Sequence, residues 1–78
     1  MRLEDAFGAT LKELRVERSI SQDTLASCSD LDRTYISLLE RGLRSPSLNT
    51  LFQIAEAMDI SPESIVREVK TKCNEGIS

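Results

Sequence analysis

The 78-residue chain contains no histidine and no tryptophan, and it has only two cysteines, Cys28 and Cys73. Two cysteines without histidine are too few for a zinc site, so we expect reduced, unpaired thiols and no metal. No hydrophobic run approaches the roughly 20 residues that cross a membrane. The acidic start, residues 1–5, lacks the layout of a signal peptide. We therefore expect a cytoplasmic protein with no membrane partner.

These absences also argue against an enzyme. Without histidine, a serine or cysteine nucleophile lacks its usual partner base, and the carboxylates are scattered along the chain. The three glycines form no phosphate-binding loop. We therefore expect no catalytic activity, no cofactor and no small-molecule ligand.

The length limits the chain to one domain with a modest core. Hydrophobic residues make up 40% of the sequence, and the three aromatic residues are Phe7, Tyr35 and Phe52. A core of this size gives limited stability. We therefore expect a single compact domain over residues 1–78 that gains stability from dimerisation.

Apolar residues recur at helical spacing, and no strand-like alternation occurs. Two apolar stripes predict helices over residues 3–18 and 48–58. They consist of Leu3, Phe7, Leu11 and Leu14 in the first stripe, and of Leu48, Leu51, Ile54, Ala55 and Met58 in the second. Ser61 followed by a proline matches an N-cap and a first-turn residue, which predicts a last helix over 62–71. We expect residues 74–78 to fray.

Residues 22–28 and 33–41 form two further short helical stretches, joined by a tight turn. Ser21 and Asp32 stand where the N-caps of these helices belong. Asp30 occupies the turn, where a positive φ is needed and aspartate is one of the few suitable residues besides glycine.

The second of these short helices has an apolar side and a polar side. Ile36 and Leu39, three residues apart, point toward the core. The polar side carries Arg33, Thr34, Ser37 and Arg41. A short helix that presents polar residues outward fits the major groove of DNA. Residues 22–41 therefore predict a helix-turn-helix motif.

Residues in and around this motif carry a resemblance to a known family. They are Gln22 at the start of the first helix, the small Ala26 where the helices cross, the run from Leu31 to Ser37, then Glu40-Arg41-Gly42, and Arg44 to Ser47. On these residues the chain resembles the phage-repressor and Cro-like (XRE) transcriptional regulators, and it looks most similar to the small controller proteins of restriction-modification systems. The resemblance covers residues 7–66, and it departs at Asp30, where the family often has glycine. It implies an all-α fold, a compact five-helix bundle of the lambda-repressor-like DNA-binding type.

The net charge of −3 runs against a nucleic-acid partner, because duplex affinity draws on basic residues that displace counterions. The local distribution differs from the total. Residues 33–47 carry three arginines, Arg33, Arg41 and Arg44, against Glu40, which gives a local charge of +2. A modest basic edge on an acidic body predicts weak binding to random DNA and a strong dependence on specific contacts and dimerisation.

Ten polar residues are candidates for contact with double-stranded DNA. They are Gln22, Arg33, Thr34, Tyr35, Ser37, Arg41, Arg44, Ser45, Ser47 and Asn49. Arg33 is placed to donate to guanine O6 and N7, and its alternative role is a solvated arginine. Gln22 lies at a helix N-terminus, where a phosphate is favoured, and the resemblance points the same way. Arg44 and Ser45 suit phosphate or minor-groove contact, or else a plain loop role.

The remaining candidates have more evenly balanced alternatives. Thr34 offers a hydroxyl and a methyl group to base edges. The ring of Tyr35 suits the edge of the core, while its hydroxyl reaches toward a phosphate. Ser37 either touches bases or solvates the helix, and Ser47 is first a helix cap.

Two further groups of residues have structural roles. The resemblance implies a partly buried ion pair between Arg15 and Glu40, tying the first helix to the recognition helix. The second group is Ile60, Ile65, Val66 and Val69. These are more apolar residues than one small core needs, so we expect them to form a homodimer interface. The alternative is that they complete the core of the monomer.

Together these features predict a sequence-specific DNA-binding transcriptional regulator. As a homodimer it would place two recognition helices in successive major grooves of a pseudo-palindromic operator, with half-sites about 10 base pairs apart. The resemblance implies the role of a restriction-modification controller, which sets the timing of its own promoter and of a neighbouring nuclease gene. The alternative is an antitoxin or a protein-interaction module whose helix-turn-helix binds a protein.

Overall fold

The computed structural model describes residues 1–75, and within them it contains five α-helices and no strand. The helices are α1 (Leu3–Glu17), α2 (Gln22–Ser29), α3 (Arg33–Glu40), α4 (Leu48–Ala57) and α5 (Pro62–Glu75). The predicted all-α fold is confirmed, and the first four helices end within one residue of their predicted bounds. None of the five is long and apolar enough to cross a membrane.

The end of α5 differs from the prediction. The helix continues to Glu75, so Asn74 and Glu75 are helical and not frayed, while residues 76–78 lie outside the described part of the chain. Two contacts hold this end in place. Lys72 Nζ lies 3.1 Å from Glu13 Oε1 on α1, and the side chain of Cys73 packs against the core.

Serine side chains cap the N-termini of three of the helices. Ser21, Ser47 and Ser61 each accept a hydrogen bond from the backbone N–H three residues later, at 3.0, 3.0 and 3.2 Å respectively. Each bond satisfies one of the donors that a helix start leaves unpaired. Asp32 occupies the corresponding position before α3, but its carboxylate accepts no capping bond.

The first four helices end in the same way. In each, a residue with positive φ is followed by an aliphatic residue, and the four pairs are Ser19-Ile20, Asp30-Leu31, Gly42-Leu43 and Asp59-Ile60. The aliphatic residue donates its N–H to the carbonyl five positions earlier, at 2.9 to 3.2 Å. This is the Schellman arrangement, which reverses the chain in two residues. The predicted turn at Asp30 is therefore present, with φ 60°.

The core is formed where α1 crosses α3 and α5, and where α2 and α4 close the other side. The largest side chains that are fully buried are Leu11, Leu25, Ile36, Leu39, Ile54, Ile65 and Thr10. The inward direction predicted for Ile36 and Leu39 is thus confirmed. Two residues placed on the predicted stripes, Leu3 and Leu48, are instead exposed, because each begins its helix at the edge of the core.

Candidate nucleic-acid interface

The outer side of α3 is open to a ligand. Arg33 and Thr34 are exposed at the start of the helix, and Arg41 is exposed just after its end. Ser37 lies between them and is half-buried. Because Ile36 on the opposite side is fully buried, the helix has one fixed orientation and its polar side chains form a defined surface.

Arg33 has an acidic neighbour from outside residues 33–47. Its Nε lies 3.2 Å from Oδ1 of Asp23, in the first turn of α2. The local charge of +2 over residues 33–47 does not include Asp23. Asp23 and Arg33 are ten positions apart in the sequence and meet only because the chain turns between the two helices. The sequence indicated their proximity only through their positions, because Asp23 and Arg33 both lie in the first turn of adjacent helices of one motif.

Tyr35 joins the recognition helix to α4. Its side chain is half-buried against the core, and its hydroxyl lies 3.4 Å from Oγ1 of Thr50. The hydroxyl of Ser47 donates to the same Thr50 oxygen at 3.0 Å. A phenol has both donor and acceptor capacity, so this contact leaves room for a further hydrogen bond to a ligand.

The loop after α3 extends the polar surface. Arg44, Ser45 and Asn49 are exposed, together with Ser47, whose hydroxyl caps α4. The cap gives Ser47 a structural role, and the structure shows no fixed partner of the Arg44 guanidinium within residues 1–75. The loop thus offers a cation and free hydrogen-bonding groups next to α3.

A buried carboxylate ties three helices together behind this surface. Glu40 accepts hydrogen bonds from Nε and Nη2 of Arg15 at 2.6 and 3.1 Å, and from Nε2 of Gln22 at 3.0 Å. The ion pair between Arg15 and Glu40 is therefore present, with the glutamate side chain only 4% exposed. The hydrogen bond that Arg15 donates to Glu40 raises the pKa of Arg15, although partial burial acts in the opposite direction.

Gln22 consequently has a partner inside the protein. Its carboxamide is directed to Glu40, 18 residues later, which no local pattern in the sequence could indicate. The phosphate contact predicted for Gln22 stays a prediction. Its backbone N–H, at the start of α2, is the group best suited to it, because the first amides of a helix have no partner within the helix.

A separate apolar surface lies on α4 and α5. A groove of about 300 Å³ runs between the start of α1, the start of α4 and the outer side of α5. Its rim carries Leu3, Leu48 and Val66, which are 65%, 71% and 50% exposed. Phe52, one turn after Leu48 on α4, is 55% exposed.

This distribution bears on the predicted dimer interface, which stays a prediction. Ile65 and Val69 belong to the core of the monomer and only line the floor of the groove, and Ile60 is also packed against the core. Val66 alone of the four is exposed. The physical reason is helical spacing: Ile65 and Val69, four residues apart, share the inward side of α5, while Val66 is rotated by about 100°.

The sequence and the fold are similar to those of known proteins. The chain matches the family model described as helix-turn-helix over residues 11–65. It is 39% identical over 61 residues to the control protein C.BamHI of Bacillus amyloliquefaciens, a match that covers 77% of this chain and 75% of that protein.

Solved structures show the same similarity. The restriction-modification controller protein C.AhdI from Aeromonas hydrophila is 44% identical, with a TM-score of 0.76 and coverage of 85% of this chain and 94% of that one. A structure of the controller protein C.Esp1396I, a tetramer in complex with its natural 35 base-pair operator, is 32% identical with a TM-score of 0.77. That match covers 88% of this chain and 96% of the solved chain.

Proposed function

The chain belongs to the helix-turn-helix family of the phage-repressor and Cro-like (XRE) type, and we propose that it is a sequence-specific DNA-binding transcriptional regulator. It acts as a homodimer on a pseudo-palindromic operator, without catalytic activity. One observation carries this function: α3 presents a polar outer side while its inner side is fully buried. Such a helix is held rigidly enough to read base edges in a major groove.

The individual contacts follow from the surface. Arg33, Thr34, Ser37 and Arg41 face the bases or the nearby backbone. Six further residues surround them and are suited to contact the phosphates: Gln22, Tyr35, Arg44, Ser45, Ser47 and Asn49. Phosphate contacts fix the register of the protein on DNA without reading the base sequence.

A single recognition helix reads only a few base pairs, which is too little to select one promoter. A dimer is therefore needed, and its interface is proposed at the exposed apolar residues of α4 and α5, namely Leu48, Phe52 and Val66. Exposure of these apolar side chains to water is unfavourable in free energy, and contact with a second copy of the chain would bury them.

The regulated system is inferred from the relatives. C.AhdI and C.Esp1396I are restriction-modification controllers, and C.Esp1396I is a tetramer on its operator. The same role for this chain means control of its own promoter and of a neighbouring nuclease gene. The protein then works in the cytoplasm, where a bacterial operator lies.

The experiment is selection of duplexes by the wild-type protein from a random-sequence library, followed by binding to an enriched duplex and to its scrambled counterpart. Arg33→Ala should weaken binding to the enriched duplex by about 1–3 kcal/mol and affect the scrambled duplex much less, because it removes a base contact. Arg44→Ala serves as the comparison. It should weaken both and lower the salt dependence by roughly one unit of slope per protomer, because it removes a phosphate contact.

Equal losses on the two duplexes for Arg33→Ala would assign Arg33 to the phosphates. A wild-type protein that enriches no sequence would exclude sequence-specific binding altogether and favour a protein partner for the motif.

A further inference from the structure

Asp23 and Arg33 form an ion pair on the surface proposed to meet DNA. Oδ1 of Asp23 lies 3.2 Å from Nε of Arg33, and the two side chains are 77% and 65% exposed. Because both are well solvated, the pair contributes little to folding stability. A carboxylate beside a DNA-reading arginine also repels phosphates. The pair therefore adds little to stability while its carboxylate weakens the attraction to DNA, so a role in recognition is the better explanation for it.

The geometry leaves the reading end of the arginine free. The contact of Asp23 is with Nε, and the two terminal nitrogens of Arg33 form no hydrogen bond within residues 1–75. Contact with guanine O6 and N7 requires two N–H donors side by side, which the terminal nitrogens supply. The carboxylate thus lies on the Nε side of the guanidinium and leaves these donors available.

We propose that Asp23 is a positioning residue that increases the discrimination of Arg33 between a guanine edge and a phosphate. The role rests on the proposed function. A phosphate attracts the guanidinium through its charge, and the adjacent carboxylate opposes this attraction. The guanine edge is neutral, so it loses less from the carboxylate and benefits from an arginine already oriented. Specificity rises because the wrong contact is penalised more than the right one.

A purely structural role for Asp23 predicts different behaviour. An acid in the first turn of α2 interacts favourably with the helix N-terminus whether or not Arg33 is present. Asp32 provides a matched control, since it is exposed, precedes α3 and accepts no capping bond. Asp32→Asn changes the charge by the same amount, directly before the recognition helix, but without an ion pair to Arg33.

The test uses an enriched duplex and its scrambled counterpart, obtained with the wild-type protein. Asp23→Asn should lower the ratio of the two affinities about three- to tenfold, the range expected for losing one oriented charge contact. Asp32→Asn should tighten binding to both duplexes alike. Asp23→Glu, which keeps the carboxylate, should retain part of the ratio, and thermal melts should show all three variants folded.

A double-mutant cycle isolates the coupling. With Arg33→Ala as background, Asp23→Asn should no longer change the affinity ratio. The proposal is overturned if Asp23→Asn and Asp32→Asn have the same effect, or if Asp23→Asn lowers the ratio in the absence of Arg33. A wild-type protein that enriches no sequence would fail at an earlier step, and would overturn the proposed function together with this role.

Discussion

At the scale of single residues, Glu40 decides how firmly the motif is held. Its carboxylate is almost fully buried and is satisfied by three hydrogen bonds from two side chains. The bidentate contact with Arg15 is the geometry that compensates best for the desolvation of both charges. Removal of the acid leaves the Arg15 guanidinium, itself 13% exposed, without its counter-charge.

We therefore expect Glu40→Ala to destabilise the fold by about 3 kcal/mol, because it leaves a partly buried charge unpaired. Replacing both Arg15 and Glu40 with apolar residues should recover much of that loss. Thermal melts of the single and double variants measure the coupling, with Glu17→Ala, at the exposed end of α1, as the control. Additive losses would mean that the pair contributes nothing as a pair.

The contribution of Arg15 to stability depends on pH only on the alkaline side. The pKa of Arg15 is raised in the folded state, chiefly by its hydrogen bond to Glu40. A raised pKa stabilises the fold at every pH below the ordinary arginine value, and the contribution is lost only above it. The melting temperature should therefore not change through Arg15 between neutral and mildly alkaline pH.

At the scale of helices, the crossing of α1 and α3 is set by one small residue. A Cβ atom at Gly8 would lie 2.5 Å from the carbonyl oxygen of Leu39 and 2.7 Å from that of Glu40. Both oxygens belong to the backbone, so they cannot move away as a side chain would. Glycine at this position lets α1 approach the end of the recognition helix closely enough for Arg15 to reach Glu40.

Gly8→Ala should consequently destabilise the protein by about 1–2 kcal/mol net, because forced separation of the helices costs about 2–3 kcal/mol when the clash is with backbone atoms. The gain in helix propensity, roughly 1 kcal/mol, acts in the opposite direction and is smaller than the steric cost. Chemical denaturation checks the sign, and Lys12→Ala on the exposed side of α1 gives the baseline. A more stable Gly8→Ala protein would show that the crossing can widen without cost.

The helices were predictable because their signals are local. Serine caps, aliphatic stripes and the turn at Asp30 each depend on residues within one or two helical turns. The partners that build the site are not local: Gln22 meets Glu40, and Asp23 meets Arg33, only after the chain has reversed. The dimer surface stays a prediction. Within α5, helical spacing places Ile65 and Val69 inward and Val66 outward, which the number of apolar residues alone does not indicate.

At the scale of the whole molecule, two surfaces stand on adjacent sides of one core. The polar surface of α3 and the apolar residues of α4 are linked by the contact between Tyr35 and Thr50. If the dimer forms through Leu48 and Phe52, the separation of the two recognition helices is fixed by rigid elements.

We expect Phe52→Glu to give monomers in sedimentation and to abolish operator binding at low protein concentration, because it places a charge in the apolar interface. The helical signal should persist, since Phe52 is not part of the core. Val16→Glu, at an exposed apolar position on α1, is the matched control and should remain dimeric. A dimeric Phe52→Glu protein would place the interface elsewhere, whereas a charge at buried Val69 would unfold the monomer and test nothing about dimers.

The division of α3 into a buried side and an open side also bears on how such a protein diversifies. Ile36, Leu39 and Glu40 maintain the fold, while Arg33 and Thr34 have no part in the core. Substitutions at the two outer positions should therefore have little effect on stability, since surface changes rarely exceed about 0.5 kcal/mol. A duplicated copy of the gene could acquire a preference for another operator in single steps, each of which leaves a folded and testable protein.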